Sequence, residues 1–395
     1  MSAVSHRPPE GLTSNLTAHQ QVAEFGPALV AWQAVHGRHH LPWQRTREPY
    51  HVWLSEIMLQ QTQVTTVLVY FERFLQALPN VQALAAAPQA QVMALWAGLG
   101  YYSRARNLHA CAQDVVSRFE GQFPSTAQQL ETLPGIGPST AAAIASFCFG
   151  EPISIYDGNV KRVLSRVLAF DGDLSGSAAN KQLLGAAHVL VTGLTLHAER
   201  SGSPLHEAMP RYTQGLMDLG ATVCHLKAPA CERCPVVRNC NAHAADAATD
   251  YPVKTKRLKR TSERWYLLCL DRGDAVWLQQ RGNAGIWGGL QAPLVFVALD
   301  DMALWLNANH VAAASHRWSV DDLGALAQPT IKHQLTHKEL FLTPVVLSVN
   351  SPQVNQDRAE SGLDKPFEGA WVLKSQLASA ALPAPIKKWC ATQFF

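Results

Sequence analysis

Apolar residues recur at three- and four-residue steps from Phe25 to about Phe149, as in Val52, Leu54, Ile57, Leu59 and Val64. That is the period of helices with one face turned to a core, and two-residue alternation is absent there. The stretch Pro152 to Leu219 continues as helices with loops. After Glu263 the period changes. WYLLCL, DRGD and AVWLQQ read as two strands joined by a Gly-containing turn. Further on, KHQLTHKELFLTPVVL alternates polar and apolar residues around His337, Glu339 and Phe341. The pattern divides the chain into a flexible, Pro-, Ser- and Thr-rich tail (1–24), a helical core (25–241), a linker (242–262) and a mixed α/β domain (263–395). The linker carries a basic run, Lys254, Lys256, Arg257, Lys259 and Arg260. Such a run is a solvated segment by default and a contact strip when a polyanion is near.

Composition supports a large folded protein. The chain has 395 residues, 47% of them hydrophobic and only 16% charged, which is ample for a core and unlike a disordered chain. No apolar run approaches the roughly 18–20 residues of a membrane span. The start, MSAVSHRPPEG, has no apolar signal core, so a reducing cytoplasm is the expected compartment (the nucleoid, in a bacterium). The net charge of +3 is compatible with nucleic-acid binding and does not establish it.

Chemistry enters with four cysteines, Cys224, Cys231, Cys234 and Cys240, spaced C-x6-C-x2-C-x5-C. A zinc site usually splits its ligands into two separated pairs. One continuous loop of four thiolates suits an iron–sulfur cube better, although a structural zinc loop remains open on spacing alone. Cys111, Cys148, Cys269 and Cys390 are scattered and read as small core residues. Upstream, LPGIGPSTA (133–141) places Gly135 and Gly137 in a tight turn and Pro138 at the start of a helix. Backbone N–H groups there form an anion site that suits a phosphate; a plain helix start explains the string equally well. In YDGNVKRVLSR (156–166), Asp157, Gly158 and Asn159 make a natural turn and N-cap. Glu56, in PYHVWLSEIMLQQTQV (49–64), reads by itself as an ordinary helix residue.

Together these strings resemble the endonuclease III superfamily of DNA repair glycosylases, and within it the adenine DNA glycosylase family. The cysteine loop resembles the superfamily's 4Fe–4S loop, LPGIGPSTA its helix–hairpin–helix, and PYHVWLSEIMLQQTQV the adenine-specific branch. The resemblance implies one 4Fe–4S cluster and the fold of an all-α helix–hairpin–helix glycosylase core. It makes Glu56 the acid–base and Asp157 a carboxylate beside the sugar, with Asn159 as its hydrogen-bonding companion. Two carboxylates are what glycosidic hydrolysis needs, one to protonate the leaving group and one to stabilise a cationic sugar. Glu56 must be protonated to serve, so a dry pocket should raise its pKa. Ser139 stands where bifunctional relatives carry a Schiff-base lysine, which implies base release without strong strand cleavage.

GLGYYSRARNL (98–108) resembles the segment whose residues, here Leu99 and Tyr101, wedge into the duplex. Gln61 and Thr62 match residues around the orphaned base. The C-terminal part resembles the family's Nudix-like domain through RGNAGIWGGLQAP (281–293). The Nudix hydrolase signature is absent, so recognition of 8-oxoguanine is implied in place of hydrolysis. Two departures stand out: Leu335-Thr336-His337 where Phe-Ser-His is frequent, and Gln291 where an aromatic is frequent. Thr336 keeps the hydroxyl, and His337 is retained. The expected partner is double-stranded DNA with A:8-oxoguanine or A:G mispairs, bound by a monomer with no membrane contact. Two rivals are a bifunctional endonuclease III-like enzyme acting on oxidised pyrimidines and a non-catalytic iron–sulfur DNA sensor.

Overall fold

A computed structural model describes residues 18–256, 259–309, 311, 317–349 and 369–394. Helices follow the sequence period: α1 (Ala18–His36), α2 (Pro49–Leu59), α3 (Val64–Ala77), α4 (Val81–Ala86), α5 (Gln89–Trp96), α6 (Ser103–Phe119), α7 (Ala127–Leu130), α8 (Pro138–Phe149), α9 (Gly158–Val167), α10 (Ser177–Ser201), α11 (Leu205–Thr222) and α12 (Asn241–Ala244). Strands then dominate: β1 (Thr261–Asp271), β2 (Ala275–Gln280), β3 (Gln291–Ala292), β4 (Leu294–Phe296), β5 (Ile331–Gln334), β6 (Lys338–Ser348) and β7 (Gly369–Leu373), with α13 (Leu299–Ala308), α14 (Val320–Ala325) and α15 (Ala384–Gln393) among them. No helix among the described residues is long and apolar enough to cross a membrane.

Contacts divide the chain into two units. The first joins the residues up to Ala86 to Asn107–Arg257. Its core forms where α1 and α8 to α11 turn apolar stripes to one another: Phe25, Leu29, Val160, Leu164, Tyr212 and Leu216 are all sealed. The tail expected to reach residue 24 is shorter. Residues 18–24 already belong to α1, because Val22 and Phe25 join the core and Gln21 donates to the carbonyls of Val167 and Asn239. The rest of that tail, 1–17, lies outside the described residues.

The linker's start is also tied down. Leu174 N–H donates to the Val253 carbonyl at 3.0 Å, and the N–H of Lys256 to Ser175 Oγ at 3.1 Å. Thr255 binds Asp173 through backbone and hydroxyl, which holds that carboxyl far below the usual carboxylate range. Arg257 of the basic run lies outside the described residues.

The second unit joins Ala87–Arg106 to Leu258–Phe395. Its sheet runs β3-β2-β1-β6-β5, with β4 also on β1 and β7 on β2. The hairpin read from WYLLCL-DRGD-AVWLQQ is β1 and β2, paired antiparallel. β1 lies parallel to β6, Thr261 opposite Lys338 and Asp271 opposite Ser348. Leu268, Leu270, Trp277 and Val345 from the sheet pack against Met302, Leu306 and Leu323. β5 and β6 form a hairpin whose loop is Leu335-Thr336-His337.

Candidate active site

The first unit gathers two carboxylates. α2 starts on Pro49, with Glu48 as N-cap accepting from the His51 N–H at 2.8 Å. Its register leaves Glu56 half-buried on the wall of a cavity of about 380 Å³. Gln33, Trp43, Gln44, Ser55, Phe147 and Gln214 share that wall. Burial first, and the negative charge of Asp157 second, raise the Glu56 carboxyl to about 8. It therefore holds its proton at neutral pH, which is the state an acid needs.

Asp157 caps α9 and accepts from the Val160 N–H at 2.7 Å. Burial raises its pKa; the N–H groups of Val160 and Asn159 and the charges of Arg162 and Lys161 oppose that rise. Within the pair, charge is thus divided: Glu56 favours the acid, and Asp157 has donors and cations holding its anion. Asn159 meets Asp157 through its backbone N–H, while its side-chain oxygen accepts from Arg162 at 2.9 Å. Arg162 in turn donates to the carbonyls of Gly220 and Cys224, both at 2.8 Å. A Cβ on Gly220 would sit 2.7 Å from Asn159 Cβ, so glycine is what lets α11 approach α9. Arg162 went unread in the sequence because a basic residue one turn into a helix carries no signal of its own.

The hairpin forms as expected. Gly135 has φ +76, and a Cβ there would meet Asn107 Cβ at 2.6 Å, so only glycine fits. Gly137 is different: it is an ordinary N-cap at φ −89 with open space where a Cβ would point. Gly137 is exposed at the start of α8. Ser139 Oγ accepts from the Tyr156 N–H at 3.2 Å, which ties α8 to the segment entering Asp157. Gln61 lies just past the end of α2, at φ +58 with its side chain exposed, and Thr62 Oγ1 reaches the Gln60 carbonyl at 3.4 Å.

The four cysteines wall one small cavity together with Arg166, Val163, Val223, Pro229 and Val236. Arg166 is sealed; its guanidinium reaches Cys224 Sγ at 3.2 Å and the carbonyls of His225 and Leu226 at 2.7 and 2.8 Å. Burial pushes the Cys234 thiol to about 12 and the Cys240 thiol to about 11. Deprotonating them needs positive charge, which a metal centre would supply. Among the described residues no three His, Cys, Asp or Glu side chains converge as ligands of a single ion. The donor set of soft thiols around an apolar-walled space fits a polynuclear cluster.

The second unit brings together two residues that sequence read separately. Tyr101, exposed and at φ +50, hydrogen-bonds through its hydroxyl to the hydroxyl of exposed Thr336. Arg104 lies over the Tyr101 ring and donates to the carbonyls of Leu99 and Gly100. Arg260 donates to the Thr336 carbonyl, and the His337 carbonyl accepts from Thr261, so the backbone of the loop is pinned while its side chains stay exposed. Leu99, expected as a wedge, is buried, 6% exposed. In the Trp-Gly-Gly segment, Arg106 holds the carbonyls of Gly288 and Asn283.

The helical scaffold that carries Glu56 and Asp157 belongs to the class of base-excision DNA glycosylases. Accordingly, residues 54–186 match the HhH-GPD superfamily base excision DNA repair protein family, and residues 265–392 match a NUDIX domain. The adenine DNA glycosylase of Buchnera aphidicola (subsp. Baizongia pistaciae) is 30% identical over 92% of this chain and 95% of its own length. The human adenine DNA glycosylase is 43% identical over 56% of this chain and 40% of its own. Among solved structures, a thermostable thymine-DNA glycosylase matches 56% of this chain and 96% of its own at 25% identity and a TM-score of 0.46. The chain belongs to the adenine DNA glycosylase family. It is a hydrolase of N-glycosyl bonds that acts on DNA in base-excision repair.

Proposed function

We propose that this enzyme excises adenine mispaired with 8-oxoguanine or guanine, and that it releases the base without strong strand cleavage. The observation that carries the reading is the Glu56–Asp157 pair, one carboxyl raised to about 8 and the other also raised by burial, with N–H donors and cations opposing that rise. The flipped adenine enters the cavity walled by Glu56. Glu56 protonates it, at N7, and so makes it a leaving group. Asp157 stabilises the cationic sugar, Asn159 and Arg162 position it, and water completes hydrolysis. Gly135, Gly137 and Ser139 grip a phosphate, Gln61, Thr62 and Tyr101 occupy the opened stack, and Thr336 with His337 reads 8-oxoguanine. Cys224, Cys231, Cys234 and Cys240 hold one 4Fe–4S cluster that shapes their loop, and the protein acts as a monomer.

Ser139 supplies a hydroxyl, which cannot form a Schiff base with the sugar. Lys161 is an amine whose charge Asp157 feels, and partial burial lowers its pKa, so borohydride trapping is to be run on Lys161→Ala protein as well. The deciding experiment measures single-turnover adenine release from A:8-oxoguanine and A:G duplexes, with iron counted in the same anaerobic preparation. Release of adenine, little trapped adduct and about four irons per chain are expected. Binding without release, or stoichiometric zinc without iron, overturns the corresponding part.

A further inference from the structure

The basic run of the linker ends on Arg260, and this residue has specific partners in the β5–β6 loop. Its Nε donates to the Thr336 carbonyl at 3.3 Å. Its Nη1 and Nη2 face the Gln334 side chain. An arginine offers only donors, so the amide presents its oxygen, which accepts at 2.7 and 3.3 Å. One guanidinium thus spans two positions of the loop. The next residue, Thr261, continues the hold by giving its N–H to the His337 carbonyl at 3.1 Å. The loop also closes on itself, from the Leu335 N–H to the Lys338 carbonyl at 2.8 Å. Just beyond, Lys338 pairs with Glu263. The carbonyls of Thr336 and His337 are therefore both held from the start of β1, while the two side chains stay exposed. A guanidinium fork fixes direction as well as distance, which an ammonium on a flexible stem does not.

We propose that Arg260 and Gln334 are positioning residues for the choice of lesion: the guanidinium, spread between the Gln334 amide and the Thr336 carbonyl, sets the angle at which Thr336 and His337 meet the base opposite adenine. The inference rests on the proposed reading of 8-oxoguanine by that loop and adds the groups that aim it. A hydroxyl discriminates between two bases only when its direction is set before they arrive. A loop left to swing loses part of each contact to its own ordering. Arg260 removes that loss from outside the loop, without itself touching the base.

Two measurements on the full-length protein test it. The first is amide hydrogen exchange of the segment 334–338 in the free protein, which requires no activity. Arg260→Gln and Gln334→Leu should both speed exchange there. The second is base release at sub-saturating enzyme from A:8-oxoguanine and A:G duplexes, read as the ratio of the two rates, which does not depend on how much of a preparation is folded. Arg260→Gln should lower that ratio about fivefold and Gln334→Leu about threefold, and neither should lower it further once Thr336 is already alanine. Arg260→Lys keeps the charge and loses the fork, so it should fall with Arg260→Gln. A lysine that restores the ratio, or equal losses on both duplexes with a weaker salt dependence, would make Arg260 a phosphate contact and overturn the proposal. Unchanged exchange in Arg260→Gln overturns it as well. If the unaltered protein shows no preference for A:8-oxoguanine, the reading of that base by the loop has failed and the proposal fails with it; the exchange data separate this case from a loop that was never held.

Discussion

The two places where this chain concentrates function are built in opposite ways. Around Glu56 and Asp157 the carboxyl groups are half-buried, and burial is the largest influence on their protonation. Around Tyr101 and Thr336 the side chains stand in solvent on a pinned backbone. Bond cleavage needs a proton held at an unusual potential, which only a desolvated pocket provides. Reading a partner needs groups that exchange water for the partner, which a sealed pocket forbids. The contrast predicts that damage to the first place abolishes chemistry on every substrate, while damage to the second alters choice among substrates.

The largest effect should come from the carboxylates. Glu56→Gln keeps the shape and cannot give up a proton; Asp157→Asn keeps the shape and loses the charge. Each should cut single-turnover excision by about 10²–10⁴-fold, with duplex affinity little changed, and the double variant should lose less than the sum. Near-normal excision by Glu56→Gln would remove Glu56 as the acid. Arg162→Leu should follow at about tenfold, the worth of one charge-assisted hydrogen bond, by releasing Asn159 and unbalancing Asp157. Unchanged rates there would make Arg162 a purely structural link.

A second test works through pH. Glu56 is active as the acid only while protonated, so excision should fall as pH rises through about 8. The same shift has a stability consequence of fixed sign. Between its ordinary 4.5 and about 8, folded Glu56 keeps a proton that the unfolded chain has lost. Stability should therefore decline across that window as pH rises, and Glu56→Gln should flatten the decline in a series of thermal melts. A steeper decline in the variant would contradict a raised Glu56.

At the other place, deleting residues 263–395 should reduce preference for A:8-oxoguanine over A:G more than it reduces A:G excision itself. Thr336→Ala should do part of this, about 1 kcal/mol for one hydrogen bond. Equal losses on both substrates would erase the division of labour. The smallest effect is expected from Ser139→Lys, a slight gain of strand nicking read by gel, since a new amine there still needs correct placement.

Some of this was legible from residues alone, because it rests on local rules. Helical period, the Pro138 helix start, the Asp157 cap, the β1–β2 hairpin and the cysteine spacing depend on neighbours a few positions away. The start of α1 was not legible: residues 18–24 look polar, and only Val167 and Asn239, far along the chain, supply the carbonyls that hold Gln21. Nor could sequence show that Asn159 would face Arg162 with its side chain and Asp157 with its backbone. The grouping of Ala87–Arg106 with the C-terminal residues, and the meeting of Tyr101 with Thr336, likewise have no local cause. The chain by itself determined which groups could do the chemistry, since residue type and local capping are written in short strings. Tertiary structure decided which carboxyl is pushed toward keeping its proton, because desolvation arises only when distant segments close around one space.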